Sequence, residues 1–84
     1  MKTVYEKAME EFGENAQALK AIEELGELIV AITQYGFGKC SLQDVASEIA
    51  DVEIMCSQLR IMFGNDLVDR VKEEKLDRLK IILY

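Results

Sequence analysis

The sequence contains no histidine, no proline and no tryptophan, and only five glycines and two cysteines among its 84 residues. Each shortage removes a class of protein. Without histidine there is no Ser-His-Asp triad, and none of the Glu-x-x-His ligand pairs that hold the metals of di-iron four-helix bundles. Two cysteines with no histidine make a poor zinc site, and Cys56 falls on an apolar helical stripe where a free thiol is ordinary; Cys40 and Cys56 are both expected to be structural. Lacking proline and poor in glycine, the chain is neither collagen-like nor a disordered linker. Positive charge is also scarce: ten Lys and Arg face sixteen Asp and Glu, a net charge of −6. That balance excludes a protein whose affinity comes from neutralising nucleic-acid phosphates or an anionic membrane, and it favours a cationic partner. No apolar run exceeds Leu28–Ile32, and Met1-Lys2-Thr3 is not followed by an apolar leader, so the expected location is cytoplasmic.

Half the residues are apolar, and the pattern they follow is helical. Residues 1–84 are expected to form one domain, and a chain this short buries only about 60% of its unfolded surface, so association between copies is expected too. Gly13, the Gly36-Phe37-Gly38-Lys39-Cys40 stretch and Gly64-Asn65 divide the chain into four helical segments. The first runs from about Thr3 to Phe12 and the second from about Asn15 to Tyr35, with Gly36 as a left-handed terminator. Ser41 caps the third, supported by Asp44, and Asn65 caps a fourth that reaches about Leu83. Ala18, Ile22, Leu25, Ile29 and Ile32 recur in a strict alternation of three and four, as do Leu42, Val45, Ile49, Val52, Cys56, Leu59 and Phe63. Such spacing predicts knobs-in-holes packing of an antiparallel central pair within an all-α bundle of three to four helices. Leu28, Ala31, Ile54 and Ile61 lie off those seams and call for a second covering surface. A homo-oligomer, dimer or tetramer, follows as an expectation.

Glu23, Glu24 and Glu27 interrupt the apolar stretch Ala21 to Ile32, and Glu48 and Asp51 do the same on the third helix. At ~100° per residue both groups fall away from the apolar seam of their own helix. Carboxylates three positions apart repel, and a divalent cation removes that repulsion: Mg²⁺ takes about six oxygens and commonly combines carboxylates with water and substrate phosphates. Helices packed ~8–10 Å apart can bring Glu24 and Glu27 toward Glu48 and Asp51. We therefore read E-x-x-E and E-x-x-D as a metal site for Mg²⁺, with Mn²⁺ as an alternative.

The segment Ala21-Ile22-Glu23-Glu24-Leu25-Gly26-Glu27-Leu28, followed after twenty residues by Glu48-Ile49-Ala50-Asp51-Val52, resembles the MazG-like nucleotide pyrophosphohydrolases of the all-α NTP pyrophosphatase superfamily. Phe12-Gly13 and Gln17 precede the first motif as they do in that family, and Lys75-Leu76-x-Arg78-Leu79 resembles its closing basic helix. The resemblance covers about residues 12–80. It implies Mg²⁺-dependent cleavage of a nucleoside triphosphate to a monophosphate and pyrophosphate, with Glu24, Glu27, Glu48 and Asp51 as metal ligands. Glu24 and its neighbour Glu23 are the catalytic candidates, Glu23 as the group that orients or deprotonates the attacking water. A phosphoribosyl-ATP pyrophosphatase is the neighbouring alternative, disfavoured by the missing histidine. A non-catalytic helical interaction module with a structural cation is the alternative of a different class.

Basic side chains have places in either picture. Lys20, one turn before Glu24, is suited both to pairing with that carboxylate and to contacting a phosphate. Lys75 and Arg78, with Lys72, repeat at helical spacing on the fourth segment, where Glu73, Glu74 and Asp77 alternate with them. They are candidate phosphate contacts, and Gln17 joins Lys20, Lys75 and Arg78 in the expected substrate-binding set. Tyr35, Phe37, Met55 and Met62 are candidates for contact with a nucleobase.

Overall fold

Helix formation follows the sequence punctuation closely. The computed structural model describes residues 1–84 as four helices, α1 (Val4–Phe12), α2 (Glu14–Gly36), α3 (Leu42–Phe63) and α4 (Asn65–Leu83), with no strand. Two of the four begin with a reciprocal cap. At α1 the Thr3 hydroxyl accepts from the Glu6 amide while the Glu6 carboxylate accepts from the Thr3 amide, both at 3.1 Å. At α3 the Ser41 hydroxyl accepts from the Asp44 amide at 3.1 Å, and Asp44 accepts from the Ser41 amide at 2.8 Å. Each arrangement satisfies two amides that the first helical turn leaves free.

Two expected termini move. Gly36 lies inside α2, and the left-handed residue is Gly38, with φ 71°, in the loop that follows. Asn65 does not cap α4; it is the first helical residue after Gly64, whose φ is 109°, and its side-chain oxygen accepts from Arg60 at 3.0 Å. Arg60 also donates to Asp69 at 2.7 Å, tying the end of α3 to the start of α4.

The central pair is antiparallel, as expected, but its contact face is not the expected one. Gln17, Ala21, Glu24 and Ala31 are the buried residues of α2, with Leu28 half-buried between them. On α3 the buried residues are Met55 and Gln58, with Glu48, Val52, Leu59 and Met62 half-buried. The set on α2 keeps the alternation of four and three, displaced by one residue from the apolar seam, which is a rotation of about 100°. Ile22 and Ile29 are each 66% exposed, and Phe63 on α3 is likewise 66% exposed. Leu28 and Ala31, expected to need an outside partner, are instead covered within the chain.

Covering elsewhere is thin. Met9 of α1 is buried where that helix packs across α2 and α3. The helix α4 touches α3 alone, and every residue after Val68 is exposed. The radius of gyration is 15.6 Å, against about 12 Å for a compact chain of this length. No helix is long and apolar enough to cross a membrane.

Candidate metal centre

The displaced contact face carries acids into the middle of the hairpin. Glu24 sits on the buried side of α2 at 6% exposure, opposite Glu48 and Asp51 of α3. Carboxylate oxygens of Glu24, Glu48 and Asp51 lie within 4.8 Å of one another, and those of Glu23, Glu24 and Glu27 do the same, so Glu24 belongs to both groups. The five acids singled out from the sequence thus form two triads joined at Glu24, one within α2 and one that bridges α2 and α3; Glu27 is in a different triad from Glu48 and Asp51.

One oxygen of Glu24 and one of Glu48, the Oε2 atoms, are buried with no hydrogen-bond partner. A buried carboxylate oxygen without a donor is costly, and two of them in one cluster ask for a shared positive charge. An all-oxygen donor set held by two rigid helices suits a hard divalent cation, so the residues present fit Mg²⁺. Repulsion is visible in Glu27: the nearby Glu24 charge, reinforced by partial desolvation and by Glu48, raises its pKa above the ordinary glutamate value. Lys20 gives partial relief. Its ammonium lies 3.2 Å from Glu24 Oε1 and 3.7 Å from Glu23 Oε1, and the Glu24 hydrogen bond, followed by the Glu23 charge, raises its pKa. It neutralises one oxygen of Glu24 and leaves the inner one bare.

A cleft of about 690 Å³ opens beside the cluster, within the size range of small-molecule sites. Glu23, Glu27 and Glu48 form one end, and Gln34, Cys40, Asp44 and Ser47 line the rest, with Val30 and Ala31 in its wall. The Cys40 thiol donates to the Ala31 carbonyl at 3.3 Å, holding the loop against α2. The Ser41 amide and hydroxyl hold the Asp44 carboxyl below its ordinary pKa, so it is an ionised wall of the cleft. Sequence reasoning missed these residues. Gln34 was open to discovery, because it stands seven residues after Glu27 on the same strip; Cys40 depends on how the loop folds and carries no periodic signal.

The expected substrate contacts divide. Lys20 is at the cluster. Gln17 is buried and its amide donates to Gln58 Oε1 at 2.6 Å, a bond between helices in place of one to a ligand. Lys75 and Arg78 lie on α4, which makes no contact with α2, so one chain does not bring them to the acids. Met55 is buried, and Met62, Tyr35 and Phe37 are absent from the cleft wall. No family model, curated protein or solved structure matches the chain.

Proposed function

We propose that this chain is a Mg²⁺-dependent pyrophosphohydrolase of nucleoside triphosphates, of the MazG-like kind, working as a homo-oligomer and clearing unwanted nucleotides from the cellular pool. One observation carries the reading: Glu24 and Glu48 converge from separate helices with a bare buried oxygen each. Glu24, Glu27, Glu48 and Asp51 would hold the cation. When bound, it would screen the triphosphate charge, polarise the phosphoryl oxygens and lower the pKa of a coordinated water.

The chain's own groups supply the remainder. Glu23, exposed, lining the cleft and paired only loosely with Lys20, would accept a proton from the attacking water. Water adds to a phosphorus of the α–β anhydride, the bond from that phosphorus to the bridging oxygen breaks, and the two products are the monophosphate and pyrophosphate. Lys20 can exchange its contact with Glu24 for one with a phosphate once a metal neutralises that carboxylate. The nucleoside would extend toward Gln34 and Cys40, away from Glu23, Glu27 and Glu48 and alongside Asp44.

A second reading, a helical interaction module with a structural cation, is favoured by a specific observation: Lys75 and Arg78 stand apart from the acids within one chain. Pyrophosphate release from a panel of ribo- and deoxyribonucleoside triphosphates with Mg²⁺ separates the two. The hydrolase reading expects release by the wild type and its loss in Glu24→Gln and Asp51→Asn. Silence across the whole panel favours the module, and full activity in both variants removes the ligand assignment.

A further inference from the structure

The cleft continues well past its acidic end. Gln34 lies seven residues beyond Glu27 on α2, about 10 Å further along the helix. On α3 Asp44 lies one turn before Glu48. Between them the wall is apolar, with Val30 and Ala31 side by side. A triphosphate anchored through a cation on the acids would lay its sugar and base along that wall, toward Gln34 and Asp44; this placement rests on the hydrolase reading.

The polar groups at the outer end are uncommitted. Gln34 is half-buried, and it meets the loop through its backbone carbonyl, which accepts from Phe37 at 3.2 Å and Lys39 at 2.8 Å, so its side-chain amide stays free. Asp44 divides its two oxygens. Oδ2 accepts from the Ser41 amide at 2.8 Å and the Ser41 hydroxyl at 2.9 Å, and Oδ1 has no partner. No ammonium or guanidinium pairs with it, and it stands outside both acid triads.

The two side chains differ in what they can read. A glutamine amide donates and accepts, so it suits any base edge. A carboxylate held ionised by its Ser41 bonds only accepts. Cytosine and adenine present an amino group where uracil, thymine and guanine present a carbonyl oxygen, and acidic side chains are known to accept from that cytosine amino group. The amino group satisfies Oδ1; the carbonyl oxygen is repelled by it. We propose that Asp44 is the base-selecting residue of this cleft and that it favours triphosphates of cytosine and adenine over those whose base carries a carbonyl at the same edge.

Exposure sets the size of the effect. Asp44 is open to solvent, so water competes for Oδ1 and the roughly 10⁴-fold discrimination of a sealed polar site is out of reach. One charge-assisted hydrogen bond made in contact with water corresponds to about tenfold.

Hydrolysis of CTP against UTP, and of ATP against ITP, tests the assignment, because each pair differs in that edge alone. With Mg²⁺ the wild type should show a kcat/KM at least about tenfold higher for the amino member of each pair. Asp44→Asn, whose amide can also donate, should bring both ratios to within about threefold of one. Ser41→Ala keeps the carboxylate and the backbone amide that holds it, and should keep the wild-type ratios. Circular dichroism shows whether each variant stays folded, and if Asp44→Asn does not, the wild-type ratios decide. Calorimetric titration with the α,β-methylene analogues of CTP and UTP separates base selection from hydrolysis. Turnover of all these nucleotides at ratios near one, or a preference for UTP or ITP, overturns the base assignment and leaves the hydrolase standing. Wild-type ratios in folded Asp44→Asn, or their loss in folded Ser41→Ala, remove Asp44 as the selector. Tighter binding of the CTP analogue by about tenfold with no turnover of any nucleotide keeps the base assignment and removes the hydrolase. Neither turnover nor binding removes both.

Discussion

The two sides of the α2–α3 hairpin are built from the same helical period and differ in what they leave unsatisfied. On one side five carboxylates gather around a cleft, and two of their oxygens have no donor. On the other, rows of isoleucine, leucine, cysteine and phenylalanine stay exposed, with Val68 of α4 lining a hollow beside Cys56 and Phe63. The acidic side holds more negative charge than Lys20 alone offsets, a deficit that a small ion can make up; the apolar side lacks covering surface, which takes something far larger than an ion. A period read from sequence shows that a face will be covered and leaves open by what.

Experiments can break this contrast, and the largest effect is expected on the acidic side. Asp51→Asn and Glu24→Gln should reduce pyrophosphate release by at least about 100-fold, with a matching loss of heat in a calorimetric Mg²⁺ titration, because each removes a charged ligand. Intact titration heats in both variants would dissolve the metal centre. On the apolar side Ile29→Glu should weaken association by about 100-fold, since an unpaired carboxylate buried at an interface is costly.

A smaller effect should strike both sides alike. Ser41→Ala removes the cap of α3 and should lower stability by about 1 kcal/mol in urea denaturation. It should also change the response to acid. Ser41 keeps Asp44 below its ordinary pKa in the folded chain. The stability this contributes is complete above the unfolded pKa and is lost as pH falls through the lower folded one. The variant should therefore show a shallower loss between neutral and acidic pH.

The smallest effect concerns Glu27, whose pKa is raised mainly by Glu24. The folded chain binds that proton more tightly than the unfolded chain, so metal-free stability falls as pH rises from the unfolded value through the raised folded one. In EDTA at neutral pH, Glu27→Gln should raise the thermal midpoint; in excess Mg²⁺ it should lower it. The same sign under both conditions would show that no ion resolves the repulsion.

Much of the fold was legible in single residues. Ser41 with Asp44 marked the start of α3, Gly64 its end, and the two long alternations announced paired helices. The choice of contact face was not legible. Burying Ile22 and Ile29 between α2 and α3 is the natural expectation when only one chain is considered, and the structure instead turns Ala21, Glu24 and Ala31 inward. Small alanines allow the two backbones to approach, and that approach lets carboxylates from opposite helices meet. The acids themselves could be chosen from sequence because they break an apolar stretch. Gln17 could not be separated from a substrate contact, since its partner Gln58 lies 41 positions away.

That amide pair has a consequence for the acids two turns further along α2. Hydrocarbon side chains tolerate a sliding of one helix against another, because one methyl replaces another at little loss. A slip by a full turn would strand both Gln17 and Gln58 without partners in a dry environment, at about 1–3 kcal/mol for each abandoned group. The bond thus works as an alignment pin for the hairpin, and Glu24 owes its position opposite Glu48 and Asp51 to a contact that carries no charge.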